Sequence, residues 1–434
     1  MPRRNSDKRE MKSPASKSPY RWIRSLLRSI GPGVITGAAD DDPSGIATYS
    51  VAGAQLGTKL LWTALLTWPL MAAVQMMCAR IGKVTGQGLA ANFKQRFPRW
   101  LLLFFVSALL IANTINIGAD LAGMADAAAM LSRINSHWFV VAFAIMISWA
   151  TVRLHYDQIA KVLKWLVLVL FAYPITAFVV GAHWSQVLRD TLIPSMPHSR
   201  DEWAMLVAIL GTTISPYLFF WQASEEVEEE KSSGQSTLAL RKGATAEELE
   251  LRNIDVGVGA FFSNMVMFFI ILTTALTLNQ HGITKISTSR QAAEALRPFA
   301  GNFATTLFTL GIVGVGFLAI PTLAGTTAYA FAETLGWRQG LNKKLRQARW
   351  FYALILVSTG VGVGLDFIGI NPVKALYWTA VINGLLAPFH LVAILIVPSD
   401  KKMMQGQPSS RLGWIVVAIT TIAMFAAGIA MFVV

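Results

Sequence analysis

Apolar runs close to the ~20 residues that a helix needs to cross a bilayer recur along this chain, and they leave room for few other architectures. About eleven can be drawn, at 33–57, 60–80, 101–131, 137–153, 162–182, 203–223, 254–279, 302–332, 349–368, 374–397 and 411–433. Of the 434 residues, 54% are hydrophobic and only 14% are charged, and the mean hydropathy is +0.50. The fold class this predicts is an all-α polytopic membrane protein seated in a lipid bilayer, not a soluble enzyme. Fourteen Trp suit belts at the two membrane–water interfaces. The single cysteine, Cys78, excludes an internal disulfide and a cysteine-built metal site. The net charge of +13 gathers at span ends, which fits topology signalling and argues against nucleic-acid binding.

Residues 1–29 are Ser-rich and basic and lack a signal-peptide core, so a disordered cytoplasmic tail is expected there. Residues 30–434 read as one polytopic transporter domain. Basic residues favour the loops between spans 2–3, 4–5, 8–9 and 10–11, for example Lys83, Lys94, Arg96 and Arg99 in the first of these. By the positive-inside rule the N-terminus is then cytoplasmic and the C-terminus outside, in a cell (inner) membrane. The longest inner loop carries Glu225, Glu226, Glu228, Glu229 and Glu230, then Glu247, Glu248 and Glu250. A solvated helical surface is the expectation for it, with a cation-attracting or regulatory patch as the sharper alternative.

Two spans carry the wrong contents for simple helices. The first contains Ala39-Asp40-Asp41-Asp42-Pro43-Ser44-Gly45. A charge near the bilayer centre costs roughly 2.5–3.5 kcal/mol even on the mildest scale, so it faces a bundle interior or a watery cavity. Pro43 removes a backbone donor and Gly45 tolerates irregular backbone. The sixth span contains Gly211-Thr212-Thr213-Ile214-Ser215-Pro216-Tyr217. Two interrupted spans at matching places in two halves point to a transporter site between inverted repeats, here 33–182 and 203–397, with 411–433 as an extra span.

Asp42 beside unwound carbonyls makes an oxygen-rich pocket, to which Thr212 and Ser215 add hydroxyls or carbonyls and Asn383 an amide oxygen. Hard divalent cations prefer such ligands, whereas softer metals take sulfur or imidazole. Asp40 and Asp41 cannot cheaply share one site with Asp42, and are expected to line a vestibule that concentrates cations. Asp120, inside the third span, is a candidate proton carrier or ion-path residue. Met71, Met76, Met77 and Cys78 are expected to be core filler, and Asp366 and His390 structural.

At these residues the chain resembles the Nramp (natural resistance-associated macrophage protein) family of divalent metal transporters, from Gly31-Pro32-Gly33 through the tenth span. The resemblance implies a LeuT-type fold with discontinuous helices one and six. The family's DPGN motif corresponds to Asp42-Pro43-Ser44-Gly45, and its MPH motif to Ser215-Pro216-Tyr217. It implies metal ligation by Asp42, the Ala39 and Thr212 backbone positions and an amide near Asn383. The departures are chemical: the family's ligand Asn falls on Gly45, its ligand Met on Ser215, its His on Tyr217, and an acidic group on Gly123. Loss of the thioether removes a preference for soft ions, and a roomier all-oxygen pocket suits magnesium, which dehydrates reluctantly. The pattern is similar to the Nramp-related branch that transports magnesium without strong proton coupling.

The expected function is a secondary carrier that moves a divalent cation by alternating access, Mg2+ ahead of Mn2+ or Fe2+, with no other cofactor. The alternatives are a proton-coupled Mn2+/Fe2+ importer, with protons as co-substrate, and an organic-amine permease of the same fold. An intramembrane aspartyl protease is a remote third, resting on Tyr156-Asp157 and Gly362-Val363-Gly364-Leu365-Asp366. No enzymatic activity is expected.

Overall fold

The structure, a computed structural model, describes residues 36, 37, 39–132, 134–154 and 168–434. The basic tail, Gly31-Pro32-Gly33, Tyr156-Asp157 and the first part of the fifth span lie outside the described residues. Among those described there are helices and turns and no strands. In chain order the helices are α1 (Pro43–Leu56), α2 (Leu61–Thr85), α3 (Leu89–Arg96), α4 (Arg99–Leu131), α5 (Ser136–Arg153), α6 (Ala172–Val180), α7 (Trp184–Leu192) and α8 (Arg200–Thr213). There follow α9 (Pro216–Ser232), α10 (Ala246–Thr277), α11 (Ser289–Glu294), α12 (Arg297–Ala300), α13 (Ala304–Leu335), α14 (Arg349–Asp366), α15 (Pro372–Ile396) and α16 (Arg411–Val433).

Eight helical stretches among the described residues are long and apolar enough to cross a membrane. One of them, Pro43–Thr85, holds both of the first two expected spans. The shorter apolar stretch Leu168–Val180 and α14 occupy the places of the fifth and ninth. Large apolar side chains such as Trp138, Ile145 and Trp149 on α5, and Ile419 and Ile422 on α16, point outward, as a lipid-facing surface requires.

Two packing groups organise the bundle. Helix α4 packs on α13, α14 and α5, and α13 on α14. Helices α1, α2, α8, α9 and α10 form the second group, with α10 against α1 and α2 and α9 against α2. Lipid tails are as apolar as leucine, so close approach in a membrane relies on small residues that let backbones meet. A Cβ on Gly211 would fall 2.0 Å from the Ala380 carbonyl oxygen, and one on Gly384 would fall 2.3 Å from the Val207 carbonyl oxygen, so α8 and α15 touch backbone to backbone. Gly118 and Gly362 make the same kind of contact between α4 and α14. Gly362 is thus a packing residue, and Asp366 pairs with His137, which leaves the protease-like segment a structural account. His390 is likewise structural, with its ring nitrogens at the Leu386 and Phe105 carbonyls.

The glutamate-rich segment differs from the expected solvated face. Glu225 to Glu230 continue helix α9 across to the starts and ends of its neighbours, and Glu226 and Glu230 are buried. The reason is charge pairing. Arg252 of α10 is 2.8 Å from Glu226, 2.8 Å from Asp255 and also pairs with Glu229. Lys83 at the end of α2 lies 3.7 Å from Glu230, and Lys231 lies 2.7 Å from Glu228. Glu333, near the end of α13, accepts from the Gly88 and Ala91 amides at 3.0 Å each and so caps α3. Acidic side chains read as surface are therefore the fasteners of one end of the bundle. Removing one member of a buried ion pair leaves an uncompensated charge and costs about 3–5 kcal/mol. Arg252→Ala is therefore expected to lower the melting temperature in detergent far more than Arg338→Ala, a surface change outside this network, measured side by side.

Candidate functional site

Both breaks occur where the sequence places them, each built as a helix restart. Thr36, Gly37, Ala39 and Asp40 are helical, Asp41 bends, and Asp42 is extended at φ −67° and ψ 170°. Asp42 is the N-cap of α1, with Pro43 in the first helical position, where its missing N–H costs nothing. The Asp42 Oδ1 accepts from the Gly45 amide at 2.7 Å and from the Ser44 hydroxyl at 2.7 Å. In the sixth span α8 ends at Thr213, Ser215 is extended, and Pro216 again starts the next helix. The Ser215 hydroxyl does not cap α9; it turns back and donates to the Gly211 carbonyl and, at 3.1 Å, to the Thr212 carbonyl. The C-terminal end of a half-helix carries partial negative charge, which favours a cation beside these carbonyls.

The two breaks are tied to each other. The Tyr217 hydroxyl donates to the Ala39 carbonyl at 3.0 Å, so one lone pair of that expected ligand oxygen is occupied and one remains. A Cβ on Gly45 would lie 3.1 Å from the Thr212 hydroxyl and 3.4 Å from the Asp42 carboxylate, which places Thr212 against the Asp42 turn. The Thr212 Oγ1 is buried without a hydrogen bond. Asn383 is buried on the turn of α15 that crosses α8 at Gly384 and Gly211. Asp42, Ala39, Thr212 and Ser215 thus meet at the junction of the two broken spans, and Asn383 is buried on the helix packed against α8. All five are 2% exposed or less.

Asp40 and Asp41, expected in a vestibule, are instead buried against α10. The Ser263 hydroxyl donates to Asp40 and lies 3.4 Å from Asp41. The second carboxylate oxygen of Asp40 has no partner. Their placement follows from the helical turn before the break, which rolls both side chains toward α10, where Gly37 lies against Gly259. Asp120 of α4 is fully buried, close to Asp42 and to the Ser44 backbone amide.

One site residue escaped sequence reasoning. Asn116 of α4 is fully buried and its amide nitrogen donates to Asp42 Oδ2 at 3.1 Å. It stands four residues before Asp120, one turn back on the same helix face, and that spacing within an apolar run was the available signal. The place of the family's acidic group offers no such chemistry: a Cβ on Gly123 would be 2.8 Å from Leu376, which packs with Ala47 and Ala119.

Four carboxylates, from Asp40, Asp41, Asp42 and Asp120, therefore occupy the protein interior, and among the described residues none has a lysine or arginine within ion-pair distance. The desolvation of each ionised carboxylate costs several kcal/mol, so they call for protons or a bound cation. Among the described residues no three acidic, His or Cys side chains already form a metal cage. A cation here would draw on carbonyl, hydroxyl and amide oxygens as well as carboxylate, a donor set of the kind hard divalent ions take.

The fold is shared with solved transporters. The chain superimposes on a manganese transporter of Eremococcus coleocola with a TM-score of 0.74 at 19% identity, covering 96% of this chain and 89% of that one. Mhp1, a nucleobase-cation-symport-1 family transporter, gives a TM-score of 0.55 at 12% identity, with 93% of each chain covered. These likenesses identify the architecture as LeuT-type, with spans one and six discontinuous. In sequence the chain is 27% identical to the divalent metal cation transporter MntH of Caldanaerobacter subterraneus subsp. tengcongensis over 425 residues, 94% of this chain and 95% of that one. It is 26% identical to the protein of the same name from Yersinia enterocolitica, over 91% of this chain and 92% of that one. The family model described as natural resistance-associated macrophage protein-like matches residues 33–434, and the chain belongs to the Nramp family.

Proposed function

We propose that this chain is a secondary carrier of a divalent metal cation, Mg2+ in preference to Mn2+ or Fe2+, across the cell (inner) membrane by alternating access. The observation that carries the reading is the set of four carboxylates buried at and beside the junction of two broken helices, without a cationic partner among the described residues. The cation is the substrate. Asp42 is its anionic ligand, with the carbonyls of Ala39 and Thr212, the Ser215 hydroxyl and the Asn383 amide oxygen completing the oxygen set. Asp40, Asp41 and Asp120 lower the local potential and draw the cation in. The half-helices before Asp41 and after Ser215 rock against the α4, α5, α13 and α14 group, with the breaks as hinges. The N-terminus is cytoplasmic on this reading and the C-terminus outside.

Magnesium is favoured by what the site lacks. Gly45 and Ser215 present neither an amide nor a thioether, so the ion meets oxygen donors of the kind Mg2+ takes rather than a soft ligand. Tight proton coupling is not part of the reading, because Tyr217 and Gly123 stand where a titratable pair would have to be, and Leu376 fills the space beside Gly123. Manganese is the second reading, supported by the naming of the solved transporter with which this chain shares its fold.

The test is flux into proteoliposomes with internal pH recorded. Wild type is expected to admit Mg2+ without acidification, and Asp42→Ala to abolish the flux; Mn2+ uptake with acidification and no Mg2+ uptake would replace the first reading by the second. Ser215→Met, by adding a thioether, is expected to raise Cd2+ uptake relative to Mg2+, and an unchanged ratio would remove the soft-ligand argument. Asp120→Asn deletes a charge near Asp42, an interaction of about 1–2 kcal/mol at an effective dielectric of ~20, and should weaken Mg2+ binding roughly tenfold by calorimetry.

A further inference from the structure

Asn116 poses a question that the expected ligand set does not answer. It lies on α4, in the packing group away from both breaks, yet its side chain reaches Asp42. An ionised carboxylate only accepts hydrogen bonds, so the Asn116 amide must turn its NH2 toward Asp42 Oδ2, as it does at 3.1 Å. Its carbonyl oxygen, Oδ1, is then held beside the same carboxylate. That oxygen is fully buried and has no hydrogen-bond donor. A buried amide oxygen left unpaired costs about 1–3 kcal/mol, which only a donor or a cation at the site can recover.

The second observation is the missing side chain at Gly45, where even a Cβ would lie 3.1 Å from the Thr212 hydroxyl. The turn after Pro43 presents no side chain there, and the nearest groups to a Cβ would be Thr212, Asp42 and Tyr49. The side of Asp42 that would receive an amide from its own helix receives one from α4 instead. We propose that Asn116 is a further residue of the cation site, supplying across the helix interface the amide that position 45 lacks: its NH2 orients the Asp42 carboxylate, and its Oδ1 accepts from a water carried by the bound cation. Because the amide acts through a water, its effect falls most on an ion that keeps its hydration shell, which makes Asn116 a specificity-determining residue for Mg2+ over Mn2+. The inference rests on the proposed carrier reading of the site.

Calorimetric binding of Mg2+ and of Mn2+ to the full-length protein in detergent tests it, on wild type, Asp42→Ala, Asn116→Ala and the double variant Asn116→Ala/Gly45→Asn. Outer partners of metal ligands typically change affinity about 10–100-fold when removed. Asn116→Ala is expected to weaken Mg2+ roughly tenfold and Mn2+ less, so the Mg2+/Mn2+ ratio falls, and the double variant is expected to recover part of the Mg2+ affinity. Asn116→Gln, which keeps both an NH2 and an acceptor oxygen, should bind Mg2+ better than Asn116→Ala and guards against misfolding. Equal weakening of both ions with a lowered melting temperature would make Asn116 a packing residue and overturn the inference. So would wild-type affinities in Asn116→Ala while Asp42→Ala binds nothing. Absence of binding to wild type itself would overturn the carrier reading, and this inference with it.

Discussion

The Asp42 carboxylate is the pivot of the structure. It ends one stretch of helix and starts the next by accepting from Gly45 and Ser44, and it holds Asn116 of α4 with its other oxygen. A helix restart inside a bilayer exposes amides and carbonyls with no water to satisfy them, so it survives only where the protein supplies partners. Here the cap supplies them on one side, Tyr217 satisfies the Ala39 carbonyl on the other, and Ser215 covers the end of α8. The cost of keeping an anion at this depth is thereby spread over three helices. The remaining carboxylates, Asp40, Asp41 and Asp120, are buried near the same junction.

Much of this was legible in the sequence because its signals are local. Proline fixes φ and lacks an N–H, so Asp42-Pro43 and Ser215-Pro216 mark helix starts wherever they occur. Span lengths follow from bilayer thickness, and each of the eleven expected spans overlaps helix among the described residues, the first and the fifth only in part. What stayed hidden depends on which helix faces which. Nothing along the chain says that Asn116 meets Asp42, 74 positions away, or that Ser263 meets Asp40. The glutamates of α9 misled for the same reason: a run of acids is solvated unless a partner such as Arg252 lies across from it.

The chain also shows how substitutions within a family shift chemistry without shifting fold. Glycine at 45 and 123 removes donor groups, and in each case a neighbour settles the vacated space differently. Beside Gly45 the neighbours are polar, Thr212 and Asp42; beside Gly123 the neighbour is Leu376, which closes the position with hydrocarbon. The first position is therefore edged by polar groups and the second by hydrocarbon.

The contact of Gly211 with Ala380 and of Gly384 with Val207 has a mechanical meaning. Where side chains separate two helices, rotamer changes let them slide or turn past one another. Here backbone lies on backbone, with nothing between that can rearrange. Helices α8 and α15 are consequently bound as a single plate. Turning one against the other would first have to part that backbone contact, so the half-helix before the sixth-span break and the helix that carries Asn383 resist separate movement.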